Sequence, residues 1–440
     1  MAEFVSGLRY QSVVIKSFDG TKSIDLTNSI LGIDYYEDVL SPQITMTMNI
    51  KNSYSIVNGL PIRGGESVSM QIETGSGTFK LEGEKALFVY KVGEITAPTK
   101  SENFTLYLSS AEGLTNNTIR CLKKYPKQSI DTSVKDILKN VLKAPKTKIG
   151  TIEKTSNSYS FIGNNKKPFH ILTWLGPKAV SQSPGTKGTS GSGVKAEAKG
   201  TSGFLFFENY DGFHFRSIDS LTANTQLEFS SSNKSNITPY NYGQFAIQSN
   251  DPQNNFNIIN YNIDKNIDLQ KSLRVGMYAN QTYIYDVYKQ EFSIYNYDLK
   301  KEIKSNPKLG GEADLQAATN FSEYPSRVLV RMSDHGFMES TGAFEESGAD
   351  YTASAKSFSR YNLLFTQSLN ITIPLNINLK AGNLIYCQFP KMQAGQSKEI
   401  DPEISGNYLI SQVCHHFAGG QCYSYLKLIR DSYGVNGPNQ

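Results

Sequence analysis

Apolar and polar residues alternate strictly from Gln43 to Ile50: Ile44, Met46, Met48 and Ile50 on one side, Gln43, Thr45, Thr47 and Asn49 on the other. A period of two predicts a strand with one apolar and one polar face. Val68–Ile72, Phe88–Val92 and Phe104–Leu108 are strand-like, with glycine turns at Gly64-Gly65, Gly75-Ser76-Gly77 and Gly83. Near Ala111 the period changes. Val134, Ile137, Leu138, Val141 and Leu142 share one helical face; Ser133 with Asp136 predicts a capping-box start and Pro145 a stop. A second helix is expected from Pro168, with Phe169, Leu172 and Leu175 on one side.

Further along, Phe204–Glu208 and Phe213–Ile218 flank Asn209-Tyr210-Asp211-Gly212, which predicts a hairpin. Ser249–Tyr297 is strand-rich. Lys300–Tyr361 is polar, with some helix expected around Ala313–Thr319. Leu369, Ile371, Ile373, Leu375, Ile377 and Leu379 then alternate with Asn370, Thr372, Asn376 and Asn378, predicting a long strand whose Pro374 belongs at a bulge or an unpaired edge. A last hairpin is expected from Tyr408–Phe417 and Gln421–Ile429.

The ends of the chain resemble each other. Arg63-Gly64-Gly65-Glu66-Ser67-Val68-Ser69-Met70-Gln71-Ile72 aligns with Lys380-Ala381-Gly382-Asn383-Leu384-Ile385-Tyr386-Cys387-Gln388-Phe389. An alternating strand precedes each copy and two strands follow it, which favours duplication over coincidence. The reading is a mainly β protein with a smaller α+β part. Two similar β-barrel-like tube domains, 1–112 and 241–440, are separated by a helix-plus-hairpin domain, 113–240. Residues 181–202, rich in Gly, Ser, Thr and Lys, form a mobile loop, and about 300–361 is an insertion in the last domain.

Composition adds exclusions. A length of 440 residues suits about three domains. The net charge of +4 is mild and there is no long basic run, which argues against dedicated DNA binding. Met1–Tyr10 lacks a basic-then-apolar leader pattern, and no stretch approaches about 18 consecutive apolar residues, so no membrane span is expected. Cys121, Cys387, Cys414 and Cys422 are scattered, as in a chain made in a reducing compartment.

Candidate chemistry is sparse. Cys414-His415-His416 with Cys422 lacks zinc-ligand spacing, and on a strand His415 points away from its neighbours. Asp34, Glu37 and Asp38 are too close in sequence to flank a glycosidic bond and read as a charged turn entering a strand. Asn209–Gly212 lacks the spaced oxygens of a calcium loop. The five histidines form no triad that sequence spacing justifies. No catalytic, cofactor-binding or metal-ligating residue is assigned.

Ile33-Asp34-Tyr35-Tyr36-Glu37-Asp38-Val39-Leu40-Ser41-Pro42 followed by an alternating strand resembles the start of baseplate hub proteins of contractile-tailed bacteriophages. Gly406-Asn407-Tyr408-Leu409-Ile410, continuing through Val413 and His416-Phe417 to Tyr425-Leu426-Lys427-Leu428-Ile429-Arg430-Asp431, resembles their closing hairpin. Pro168–Leu175 with Phe204–Phe215 is similar to their helix-plus-hairpin part, and the N-terminal half of type VI secretion spike proteins shares the architecture. Lys300–Tyr361 departs from the resemblance. The resemblance implies a structural, non-enzymatic homotrimer that lines a channel and adapts a sixfold tail tube to a threefold spike. Its implied partners are the spike protein, the tube protein and surrounding baseplate proteins, with DNA passing unbound. Its implied place is the virion tail baseplate, after assembly in the host cytoplasm. Thr45, Thr47, Asn49, Asn370, Thr372, Asn376 and Asn378 would then face a wet lumen. A tail-associated glycan-degrading enzyme and a carbohydrate-binding host-recognition protein remain the alternatives.

Overall fold

A computed structural model describes residues 7–52, 62–96, 102–182, 202–222, 239–243, 246, 256–265, 268–302, 308–310, 321, 324–338, 341–391, 399–419 and 421–434. The chain opens with β1 (Arg9–Lys16), β2 (Ile30–Asp38), β3 (Thr45–Asn52), β4 (Ser67–Thr74), β5 (Leu87–Thr96) and β6 (Glu102–Ser110). A mixed segment follows, with α1 (Ala111–Thr118), α2 (Ile130–Asp136), α3 (Pro168–Leu175) and the hairpin β7 (Phe204–Asn209) and β8 (Gly212–Ser217). Next come β9 (Tyr240–Asn241), β10 (Asn260–Lys265), α4 (Leu269–Arg274), β11 (Ala279–Asp286), β12 (Glu291–Asp298), β13 (Arg327–Met332) and α5 (Tyr351–Leu363). The chain closes with β14 (Gln367–Pro374), β15 (Leu384–Gln388), β16 (Gly406–Ala418) and β17 (Gln421–Arg430). The protein is mainly β with a smaller helical part.

The two ends share one strand order. In the first unit the pairing runs β2-β3-β6-β5-β4; in the second it runs β10-β14-β17-β16-β15. In chain order, the first strand of each unit pairs with the second, the second with the fifth, the fifth with the fourth and the fourth with the third. Each unit buries its own core. The first is built around Met46, Met48, Met70 and Leu106, the second around Leu369, Ile371, Ile410 and Leu428. The units merge because β16 is 13 residues long. Its Gly406–Leu409 stretch pairs with β15, and its Gln412–Ala418 stretch pairs with β2, with His416 opposite Asp34.

The mixed segment seats its hairpin against the first unit through buried charge. Glu208 accepts hydrogen bonds from the Ile44 N–H at 3.0 Å and the Ser110 hydroxyl at 2.6 Å. Its other oxygen lies 3.1 Å from the Lys148 ammonium, which also pairs with Glu112. Burial works against the Lys148 charge, but the two carboxylates outweigh it and hold its pKa above the ordinary lysine value. The hairpin turn falls at Asn209–Gly212 as expected. A Cβ on Gly212, at φ +121°, would sit 2.2 Å from the Lys148 carbonyl oxygen, so only glycine closes this turn.

Several expectations are corrected. The helix expected to start at Ser133 starts at Ile130, so Ser133 lies inside it, where its hydroxyl accepts from Gln128, and Asp136 pairs with Lys123. The helix runs on through a wider turn, Ile137–Val141, and is over before Lys143 (φ +55°) and Pro145 are reached. Asp34, Glu37 and Asp38 lie in β2 and not in a turn; the turn comes just after. The long strand after Gln367 stops at Pro374, its last residue, and Asn376 and Asn378 fall in the following turn. The 300–361 stretch holds β13 and a helix, α5, that starts on an Asp350 cap. Residues 183–201 of the expected loop, and the helix expected at Ala313–Thr319, lie outside the described residues.

Candidate functional site

Alternation along β2 sets the site. Tyr35 and Glu37 point into the molecule and are buried, while Asp34, Tyr36 and Asp38 point out. Strand register extends that outward face through both units. One row runs Asn260, Thr372, Tyr425, Cys414, Tyr36, Thr45, from β10 to β3. A second runs Asn262, Asn370, Lys427, Gln412, Asp38. A third runs Tyr423, His416, Asp34, Thr47, Tyr107, Lys91, reaching β5. The face includes a groove of about 530 Å³ lined by Tyr36, Thr45, Asn260, Thr372 and Tyr425.

Charges on this face are matched locally at three places, and the Lys91 ammonium lies 4.6 Å from the centroid of the Tyr107 ring. His416 Nδ1 lies 2.6 Å from Asp34 Oδ1, the Gln412 amide donates to Asp38 at 2.8 Å, and Lys427 lies 3.3 Å from Asp264. Asn49 accepts from the Thr105 hydroxyl at 2.7 Å. Burial pushes the Tyr36 phenol and the Cys414 thiol each up to about 12, so both stay neutral near pH 7. A protonated thiol is a poor nucleophile and a poor metal ligand. The arrangement therefore offers water a mosaic of amides, hydroxyls and paired charges, without an activated group.

Beneath the face, three parts of the chain meet at Glu37. Its carboxylate accepts from the Tyr210 N–H at 2.7 Å, the Tyr35 hydroxyl at 3.0 Å and the Ala381 N–H at 2.8 Å. Burial raises its pKa to about 7 despite those donors. Glu37 thus ties the hairpin turn and the loop before β15 to the strand that joins the two units.

Of the seven residues expected on a polar face, Thr45, Thr47, Asn49, Asn370 and Thr372 share this one. Asn376 and Asn378 sit in the turn. Asn376 donates to the Tyr240 hydroxyl at 2.9 Å and Asn378 to the Ser76 carbonyl at 3.3 Å, so this turn also touches the first unit. Sequence reasoning missed Tyr36, Gln412, Cys414, His416 and Tyr425 as members of the face. Their odd-and-even spacing carried the signal, but the pairing of β2 with β16 was needed to align it. His415 points inward, where its ring nitrogens bond the Ser424 hydroxyl and the Leu379 carbonyl at 2.9 and 3.1 Å. Among the described residues, no group of three or more His, Cys, Asp or Glu side chains is placed to hold a metal ion, and no helix is long and apolar enough to cross a membrane.

No family model and no curated protein matches the sequence. Solved structures do match the fold. The tail protein from Neisseria meningitidis MC58 is similar over 96% of this chain and 97% of its own, with a TM-score of 0.52 at 11% identity. The 43 kDa tail protein of prophage MuSo2 from Shewanella oneidensis aligns over 96% and 98%, at TM-score 0.49 and 7% identity. Prophage tail protein gp18 from Listeria monocytogenes EGD-e aligns over 98% and 96%, at TM-score 0.47 and 9% identity.

Proposed function

We propose that the chain is a structural, non-enzymatic baseplate hub subunit of a phage-type contractile tail: a homotrimeric ring whose polar sheet face lines the channel. The observation that carries this reading is a pair of open strand edges. Within the chain, the first strand of unit one (β2) pairs with the fourth strand of unit two (β16). The equivalent edges, the first strand of unit two (β10) and the fourth strand of unit one (β5, from Tyr90 onward), have no partner strand among the described residues. Pairing β10 of one copy with β5 of the next repeats between copies the join already made inside each copy. Such a head-to-tail contact closes into a ring when the rotation allows it, and it removes both open edges.

Three chains would supply six similar units, which suits a sixfold tube on one side and a threefold spike on the other. The face bearing Thr45, Thr47, Asn49, Asn370 and Thr372 would continue around the lumen, with Asn376 and Asn378 beside it. Neutral amides, hydroxyls and paired charges would let DNA pass without adhering. The similarity in fold to a tail protein supports this setting, with spike, tube and baseplate proteins as partners, location in the virion tail and assembly in the host cytoplasm. The non-enzymatic part is supported by the commitment of Asp34, Glu37 and Asp38 to hydrogen bonds within the chain.

Cysteines at Thr96 and Asn262, the register positions equivalent to His416 and Asp34 in the internal join, test the ring. In assembled tails, or in the chain mixed with its tube and spike partners, the double variant should cross-link copy to copy into closed trimers, while each single variant should not. A tail reconstruction with this chain as a monomer, as a sixfold ring, or with the Thr45 face outside would overturn the reading. Release of sugars from peptidoglycan, abolished by one carboxylate substitution, would overturn its non-enzymatic part.

A further inference from the structure

The three-stranded sheet β12-β11-β13 is built unlike the rest of the molecule. One side is covered by α5, whose Phe358 ring lies 5.0 Å from the Arg327 guanidinium and whose Ser359 bonds the Met277 carbonyl. The other side is exposed and, among the described residues, apolar. Register aligns Met332, Tyr285 and Phe292 in one row and Val330, Tyr283 and Ile294 in the next. Val330 is 75% exposed, Met332 68% and Phe292 55%. A third row, Val328, Gln281 and Asn296, is also uncharged. Six such side chains present on the order of 600 Å² of apolar surface, at the upper end for the largest patch on a monomer and close to the ~800 Å² per partner of a standard interface.

We infer that this face is a second self-association surface, which packs against the same face of another copy of this chain. Two features favour a copy over a different partner. None of the nine side chains carries a charge, so identical faces meet without like-charge repulsion and without stranding an ion in a dry interface. The area approaches what one side of a stable protein pair buries. β-branched and aromatic side chains on two twisted sheets also interdigitate in the manner of a sheet sandwich. The inference does not need the β5–β10 ring: a same-face contact is twofold, so it joins free chains or copies of different rings and not the three copies of one ring.

The test measures self-association of the full chain by sedimentation over a range of concentrations, with Val330→Asp beside the wild type and thermal melts to verify folding. Val330 is exposed, so the variant should melt like the wild type while its dissociation constant rises at least about 100-fold. Tyr283→Cys, at the centre of the face, should cross-link between copies above the background set by the native cysteines. An unchanged dissociation constant in a folded Val330→Asp variant would overturn the inference, even if the Thr96–Asn262 cross-link still forms and keeps the ring reading. A wild-type chain that stays monomeric, or a Tyr283→Cys variant whose introduced thiol is shielded from thiol reagents only when another tail protein is added, would also overturn it.

Discussion

The large sheet and the small β12-β11-β13 sheet both follow period two, yet they turn opposite chemistries outward. In the large sheet the aliphatic side chains of β3 and β14 go to the two cores, those of β17 go to the second core and to the cluster beside the hairpin, and hydroxyls, amides and paired charges meet water. In the small sheet the side chains facing α5 include buried Asn280 and Thr282, while Val330, Met332 and Phe292 are bare. Alternation therefore reports that a strand has two faces, not which one is the inside. A sheet with a polar outer face is finished as a folded unit; one with an apolar outer face is finished only by a partner.

The strongest way to break this contrast is to uncouple the two sheets. Arg360 on α5, buried beneath the small sheet, lies 2.9 Å from Asp431 at the end of the large sheet and 3.2 Å from Asp219. Arg360→Leu would strand two buried carboxylates and should cost about 3–5 kcal/mol in urea unfolding. Next, Leu428→Ala in the core of the second unit should cost about 2–5 kcal/mol, whereas Val330→Ala should stay within about 0.5 kcal/mol under conditions where the chain is monomeric. Equal costs would erase the distinction between finished and unfinished faces.

A pH series sharpens the account of the large sheet. Glu37 titrates near 7 in the folded chain because burial disfavours its charge, against about 4.3 when unfolded. The folded state then holds the extra proton, so the contribution of Glu37 is complete below about pH 4.3 and is lost as pH rises through 7. Denaturation midpoints should show a decline on the order of 1–3 kcal/mol from this source, and Glu37→Gln should flatten the slope in that window. The smallest effect is expected at the face itself. Asp34→Asn loosens a half-exposed pair with His416 and should cost less than about 1 kcal/mol, with no displacement of β2 from β16 in amide exchange.

Much of the fold was legible in the chain. Strict alternation located β3 and β14, strand-like runs located β4, β6 and β17, and Pro168 marked α3, because burying one face of a strand or helix needs only local spacing. The failures share a cause as well. Asp34–Asp38 looked like a charged turn because charge is visible in sequence, whereas the partners that accept it, His416 and Gln412, lie more than 370 residues away. Ser133 and Asp136 fitted a cap, but Gln128 and Lys123 took those side chains instead. β13 and α5 escaped notice because Leu329, on the side that Arg327 and Arg331 share, blurs the alternation of β13, and because its apolar side faces out.

By itself the sequence determined the β character of the chain, the resemblance between its ends and the polar side of each strand, since these follow from side-chain period and turn chemistry. Only the tertiary structure decided that the two units share one sheet. That join rests on the length of β16 and on Glu37, Tyr210 and Ala381 meeting in a dry core, contacts between residues far apart in the chain whose energy no local pattern encodes. The open edges of β5 and β10 and the bare face of β13 were decided at the same level, because an unpaired edge or an uncovered face exists only relative to everything else that has folded.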